Sequence, residues 1–226
     1  MATSRASLKT VRLTLPLSTQ TIAGLAIGTV VYLDGLLYSC REAVYKRIIE
    51  EGIPPPTDLA SLGNVNFHCS PAAAADSDGS FRVGAVTATA SFRFAKWLPR
   101  WFEFTDCRAI IGKGGMSAEH YRDIFVPAGA IYLTTVGYGT GALLGQAIER
   151  VENVWWLDEL GIAQALWVFR VKNFGPLLVE SDLQGRSLFE THNKAINENI
   201  ERLYQGLRKP ALSRFGETDD KKKELI

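Results

Sequence analysis

Ala109-Ile-Ile-Gly-Lys-Gly-Gly-Met-Ser117 is the stretch on which the reading of the fold turns. Three apolar, strand-prone residues run into a cluster of glycines, and the cluster ends at a serine of the kind that caps helices. Glu119 then places an acid in the first helical turn, where the helix dipole favours negative charge. A buried strand that passes through a glycine turn into a capped helix is the building unit of an α/β domain.

Downstream the alternation continues. Residues 130–136 read as a strand, 142–151 as a helix, 166–171 and 177–181 as two strands with a turn at Asp182-Leu-Gln-Gly185, and 187–207 as a last long helix. Upstream, residues 11–35 read as β-structure ending at the turn pair Asp34-Gly35. Residues 42–51 have helical periodicity and are stopped by Gly52-Ile-Pro-Pro-Pro56, because proline cannot continue a helix. Residues 65–69 form a short strand, Asp76-Ser-Asp-Gly79 a turn and residues 81–89 another strand. Residues 91–104 carry an aromatic helical face (Phe92, Trp97, Trp101, Phe104) that reads as core. The expectation is one α/β domain with a mixed sheet flanked by helices over residues 11–210. A flexible N-terminus (1–10) precedes it and a charge-rich, disordered tail (211–226) follows.

At 226 residues, with 46% hydrophobic and 22% charged residues, the chain has the composition of a globular protein with a substantial core. Its formal net charge of +1 leaves no electrostatic footprint for nucleic acid. Arg5, Lys9 and Arg12 precede the first acid, Asp34, in the manner of a transit peptide, but the alternation from Val11 to Leu17 reads better as a strand. Residues 124–148 are uncharged, yet Pro127 and five glycines dilute them too far for a membrane span. With no secretory segment read from the sequence, a reducing cytoplasm is the expected setting.

Three cysteines (Cys40, Cys69, Cys107) and three histidines (His68, His120, His192) show no metal-ligand spacing. Three thiolates with an open iron position would suit a [4Fe–4S] dehydratase, but without a C-x-x-C pair the better reading is of buried thiols. Gly137-Tyr-Gly139-Thr-Gly-Ala142 fits the G-x-G-x-x-A dinucleotide pattern. It lies past the chain midpoint, and its candidate acids Asp158 and Glu159 fall in a helical segment, so a turn that lets a helix pack closely is preferred.

A quieter set of residues is more promising. Arg41 follows a strand end, Thr89 and Arg93 bracket the end of another, and Lys113 sits in the glycine turn before a helix. Arginine grips a planar carboxylate with two donors and lysine adds a point charge, so together they suit a dicarboxylate. On composition alone the reading as unrelated surface cations would win.

These positions match a family. The blocks Ile111-Gly-Lys-Gly-Gly-Met116, Val126-Pro-Ala-Gly129, Trp156-Leu-Asp-Glu-Leu-Gly161 and Leu166-Trp-Val-Phe-Arg-Val-Lys-Asn-Phe-Gly-Pro-Leu-Leu-Val179 carry the likeness. From about Leu13 to Asn193 the chain resembles the β subunit of two-chain iron–sulfur hydro-lyases: class I fumarases and L-tartrate dehydratases. It equally resembles the C-terminal domain of single-chain class I fumarases. The resemblance implies a swivelling β/α domain that closes on an α subunit carrying a [4Fe–4S] cluster, in an α2β2 assembly. The implied reaction is reversible loss of water from a 2-hydroxy dicarboxylate. The family's substrate-binding arginine falls on Arg41. Its G-P-T-T-S-x-R motif falls on Thr87-Ala-Thr-Ala-Ser-Phe-Arg93, and its lysine falls on Lys113. The first motif threonine, here Thr89, is the proposed proton acceptor. The sequence departs from the pattern at Thr87-Ala88, where the family has Gly-Pro, and at Ala90, which removes a hydroxyl. In Arg41-Glu-Ala-Val-Tyr-Lys-Arg47, Tyr45 takes the place of the histidine of R-D-x-x-H-K-R. A non-catalytic, partner-binding or regulatory subunit is the alternative function.

Overall fold

The computed structural model describes residues 8–137 and 139–206. Most of the expected flexible N-terminus and all of the expected charged tail lie outside these residues. Two compact units are distinguished, Met1–Thr191 and His192–Ile226; the described part of the second is chiefly the C-terminal portion of one helix.

In chain order the first unit runs β1 (Thr10–Thr14), α1 (Thr19–Ala23), β2 (Val30–Ser39) and α2 (Glu42–Tyr45), which continues as a π-helical turn over Lys46–Glu50. Then come β3 (Val65–Phe67), a hairpin of β4 (Cys69–Ala75) and β5 (Phe81–Ala88), a 3₁₀ helix Ser91–Trp97 and α3 (Leu98–Phe104). After β6 (Ala109–Gly112), α4 (Ala118–His120), a π turn (Tyr121–Phe125) and α5 (Val126–Ala128) form one continuous helical stretch. The chain ends with β7 (Ile131–Thr135), α6 (Thr140–Gln146), β8 (Ile148–Trp155), α7 (Leu157–Leu160), β9 (Leu166–Ser181) and α8 (Leu188–Leu203), the last spanning both units. This is a mixed α/β sheet flanked by helices.

Strands β1, β2, β3, β6 and β7 are mutually parallel in that order, and β9 is antiparallel to β7, β8 and β2. Because β9 pairs with both β7 and β2, the strands β2-β3-β6-β7-β9 close into a ring. Side chains alternate across it, as the two-residue strand period requires. Phe67, Ile111 and Leu133 face one apolar cluster, while Ile110 and Tyr132 face a second that is rich in aromatics from the helices.

Four expectations are corrected. Asp34-Gly35 is not a turn: β2 runs on to Ser39, and its pairing with β9 shifts register around Gly35. The expected helix 142–151 ends at Gln146, and residues from Ile148 form β8, where pairing with β9 overrides helical propensity. The two strands expected at 166–171 and 177–181 are one, β9. Gly175 passes so close to β2 that a Cβ there would lie 2.6 Å from the Val31 carbonyl oxygen. Finally, Phe92 is 58% and Phe104 39% exposed, so neither is core. Trp97 and Trp101 are buried as expected, and the 3₁₀ turn, with its period of three, adds Ser91 and Phe94 in place of Phe92.

Among the described residues no helix is long and apolar enough to cross a membrane. The uncharged stretch 124–148 holds β7 and α6, and Gly141 and Gly145 of α6 press against the backbone of β5.

Candidate functional site

Where parallel strands lie side by side, in barrels as in open sheets, ligands bind beyond their carboxyl ends. Here β3 and β6 pair as far as Phe67↔Ile111 and then separate. The segment leaving β5 enters the gap: the Thr89 amide donates to the His68 carbonyl (2.7 Å), and the Lys113 amide donates to the Thr89 carbonyl (3.2 Å). Ala90 and Lys113 form a parallel bridge. Thr89 and Lys113, far apart in sequence, are thereby joined by their backbones.

The other two expected residues come to the same edge. Arg41 follows the end of β2 and donates from Nη1 to the Ala163 carbonyl (2.7 Å). Its Nε is buried without a partner. The loop after the block 156–161 thus braces Arg41, while the block itself meets Arg47, which stacks on Trp156 at 5.0 Å. Arg93, at the start of the 3₁₀ helix, lies 3.6 Å from Glu42, the residue next to Arg41. Lys113 is exposed and Thr89 buried. Burial first, and then the nearby Arg93 cation, make the charged form of Arg41 less favourable than usual. Glu42 is held below the ordinary carboxylate range chiefly by its hydrogen bond to Lys46. An anion beside Arg41 would relieve the cost of its charge.

A cavity of about 190 Å³ opens beside Lys113, with the side chains of Thr87, Thr135 and Thr140 in its wall. Of the four expected residues only Lys113 lines it. Gly137 and Gly141 of the glycine motif also line it, so that motif contributes wall and helix packing.

Several residues that the sequence reading passed over are bound into the same place. Ser91 Oγ, fully buried, is hydrogen-bonded with His68 Nδ1 (2.8 Å) and accepts from the Tyr132 hydroxyl (2.8 Å). His68 Nε2 meets the Tyr45 hydroxyl (2.7 Å), which accepts from Asn66 Nδ2 (2.8 Å). Burial, and then the Arg41 charge, lower the His68 pKa to about 3, so the ring is neutral. Tyr45 is thus part of a buried layer beneath the site, so its departure from the family pattern alters the support of the pocket. The available signal was Ser91 itself, lying between Thr89 and Arg93.

The three cysteines are buried free thiols. Cys69 belongs to one apolar cluster and Cys40 and Cys107 to the other, and burial raises the pKa of each. Among the described residues no group of three or more His, Cys, Asp or Glu is placed to hold a metal ion. The described residues of this chain do not fit an iron–sulfur cluster.

Fold and site together define an α/β domain with a cationic cluster at the carboxyl edge of a parallel sheet. The chain belongs to the Fumarase C-terminus family, whose model matches residues 1–192. It is 33% identical over 188 residues to the L(+)-tartrate dehydratase subunit beta of Escherichia coli K12, covering 82% of this chain and 90% of that one. A Methanocaldococcus jannaschii protein, provisionally named as an L(+)-tartrate dehydratase subunit beta, is 35% identical over 190 residues, 83% of this chain and 95% of its own. A longer Geobacillus stearothermophilus protein, provisionally named as a class I fumarate hydratase, is 31% identical over 88% of this chain and 37% of its own length.

Proposed function

We propose that the chain is the β subunit of a hydro-lyase that adds or removes water at a dicarboxylate: fumarate and malate, tartrate, or a related 2-hydroxy dicarboxylate. The observation that carries this reading is the meeting of Arg41, Thr89, Arg93 and Lys113 at one sheet edge, through the Thr89–Lys113 backbone contact and the Arg93–Glu42–Arg41 cluster. Arg41, Arg93 and Lys113 bind the two carboxylates and set the substrate's orientation. Thr89 takes the proton from C3. A threonine hydroxyl is a weak base, so the acceptor is its alkoxide, stabilised by Arg93 and Lys113 and returned to the hydroxyl by the C3 proton. An acid of the α subunit protonates the departing hydroxyl to water. The [4Fe–4S] cluster of this reading belongs to the α subunit, whose closure over this edge completes the site. An α2β2 assembly in the cytoplasm goes with the same reading.

Production with the α subunit should give dehydration of L(+)-tartrate or hydration of fumarate. Arg93→Ala with Lys113→Ala should lower kcat/KM by at least about 100-fold, each lost charge-assisted bond being worth roughly 1.5–3 kcal/mol. Full activity in the double variant would reject the assigned site. Ala90, a methyl where the family pattern has a second hydroxyl, favours the alternative of a non-catalytic, partner-binding or regulatory subunit. Turnover that disappears in Thr89→Ala would reject that alternative.

A further inference from the structure

We propose that the buried chain Asn66–Tyr45–His68–Ser91–Tyr132 is a positioning network that holds Thr89, Lys113 and Arg41 in register with one another. The inference rests on the hydro-lyase reading for its catalytic consequence, but the network itself is testable without activity.

The polarity proposed for the chain starts at its Asn66 end, which the backbone fixes. The Cys40 amide, one residue before Arg41, donates to Asn66 Oδ1 (2.9 Å). That fixes the Asn66 side-chain amide, so its Nδ2 donates to the Tyr45 oxygen (2.8 Å). The Tyr45 proton then goes to His68 Nε2 (2.7 Å). With Nε2 accepting, a neutral imidazole carries its proton on Nδ1 and donates to Ser91 Oγ (2.8 Å). Tyr132 donates to the same oxygen at 2.8 Å and lies 3.4 Å from the Lys113 carbonyl. All five residues are buried. In such surroundings a satisfied network is rigid and an unpaired member is costly.

The two ends of the network reach backbone, at the Cys40 amide and at the Lys113 carbonyl. Asn66 reaches Cys40 beside Arg41. Ser91 lies two residues from both Thr89 and Arg93, and the backbone of His68 itself receives the Thr89 amide. Gly112 makes the junction possible, since a Cβ there would stand 2.0 Å from Ser91 Oγ and 2.5 Å from the Tyr132 oxygen. The network does not reach the ligand side. Its members act through Thr89, Lys113 and Arg41, and a shift of about 1 Å in a reacting group costs on the order of 100-fold in rate.

Ser91→Ala and Tyr45→Phe each delete one oxygen. In the full chain, amide hydrogen exchange at Thr89 and Lys113 should quicken by about 10-fold or more in both variants, while Ile111 and Leu133 keep their protection, as a local opening requires. Equal change at all four amides, or none at Thr89 and Lys113, would overturn the proposal. Long-range ¹H–¹⁵N spectra of the wild type at pH 6 should show His68 neutral with its proton on Nδ1; a proton on Nε2 or an imidazolium would also overturn it. In the complex with the α subunit, assayed with L(+)-tartrate and with fumarate, kcat per folded site should fall about 10- to 100-fold with KM changed less. His68→Asn, which keeps a donor near the position of Nδ1, should retain more activity than His68→Ala. If Thr89→Ala stays active, the hydro-lyase reading fails, and the exchange and tautomer results still decide whether the network exists.

Discussion

Gly112 has no side chain because another residue occupies the place where one would be. Its backbone angle is ordinary, so the requirement is space: Ser91 Oγ and the Tyr132 hydroxyl stand over its Cα. Gly112→Ala should therefore destabilise the chain by about 1–3 kcal/mol, the usual cost of overpacking, measured by urea denaturation. Unchanged stability would mean that Ser91 does not sit where it is described. At this scale much of the candidate site was legible. Arg41, Thr89, Arg93 and Lys113 were singled out from residue type and position at strand ends, and the structure brings all four to one edge. His68, Asn66 and Tyr132 were not, and Tyr45 only as a departure from the family pattern, because a buried polar residue acquires meaning only from its partners. Those partners lie 21 to 41 residues apart.

Elements were legible where local chemistry decides them. Ser117 caps its helix by accepting from the His120 amide, as its place after the glycine turn implied. The segment 91–104 shows where such reading stops. A 3.6-residue period put Phe92 in the core, whereas the 3₁₀ turn puts Phe94 there, 1% exposed. Alanine substitution separates the two. Phe94→Ala should cost about 3–5 kcal/mol, and Phe92→Ala should stay within about 0.5 kcal/mol in the same denaturation assay. Equal losses would restore the helical face. Strand β8 is the other case, because Ile148–Trp155 becomes a strand only by pairing with β9.

For the whole molecule, the dependence of stability on pH is set partly by a group far from any motif. Glu180, near the end of β9, accepts from Ser187 Oγ (2.7 Å) while its second oxygen is buried without a partner. Burial raises its pKa from 4.5 to about 7. The folded chain thus binds this proton more tightly than the unfolded chain. The stabilisation is complete below pH 4.5 and is lost as pH rises through about 7. Glu180→Gln keeps a neutral group, so the Tm of the wild type should fall by a few °C relative to the variant across that range. A difference that does not vary with pH would argue against the raised pKa. The same scale separates what each level of description decides. The sequence by itself determined the α/β class, since periodicity and capping are local properties of the chain, and the family, through the likeness of its ordered blocks to known relatives. Only the tertiary structure decided that β9 closes the sheet into a ring, that β5 feeds Thr89 between β3 and β6, and that a hydrogen-bonded layer lies beneath the site. Those features depend on pairings and close approaches between distant segments, which are set by three-dimensional packing.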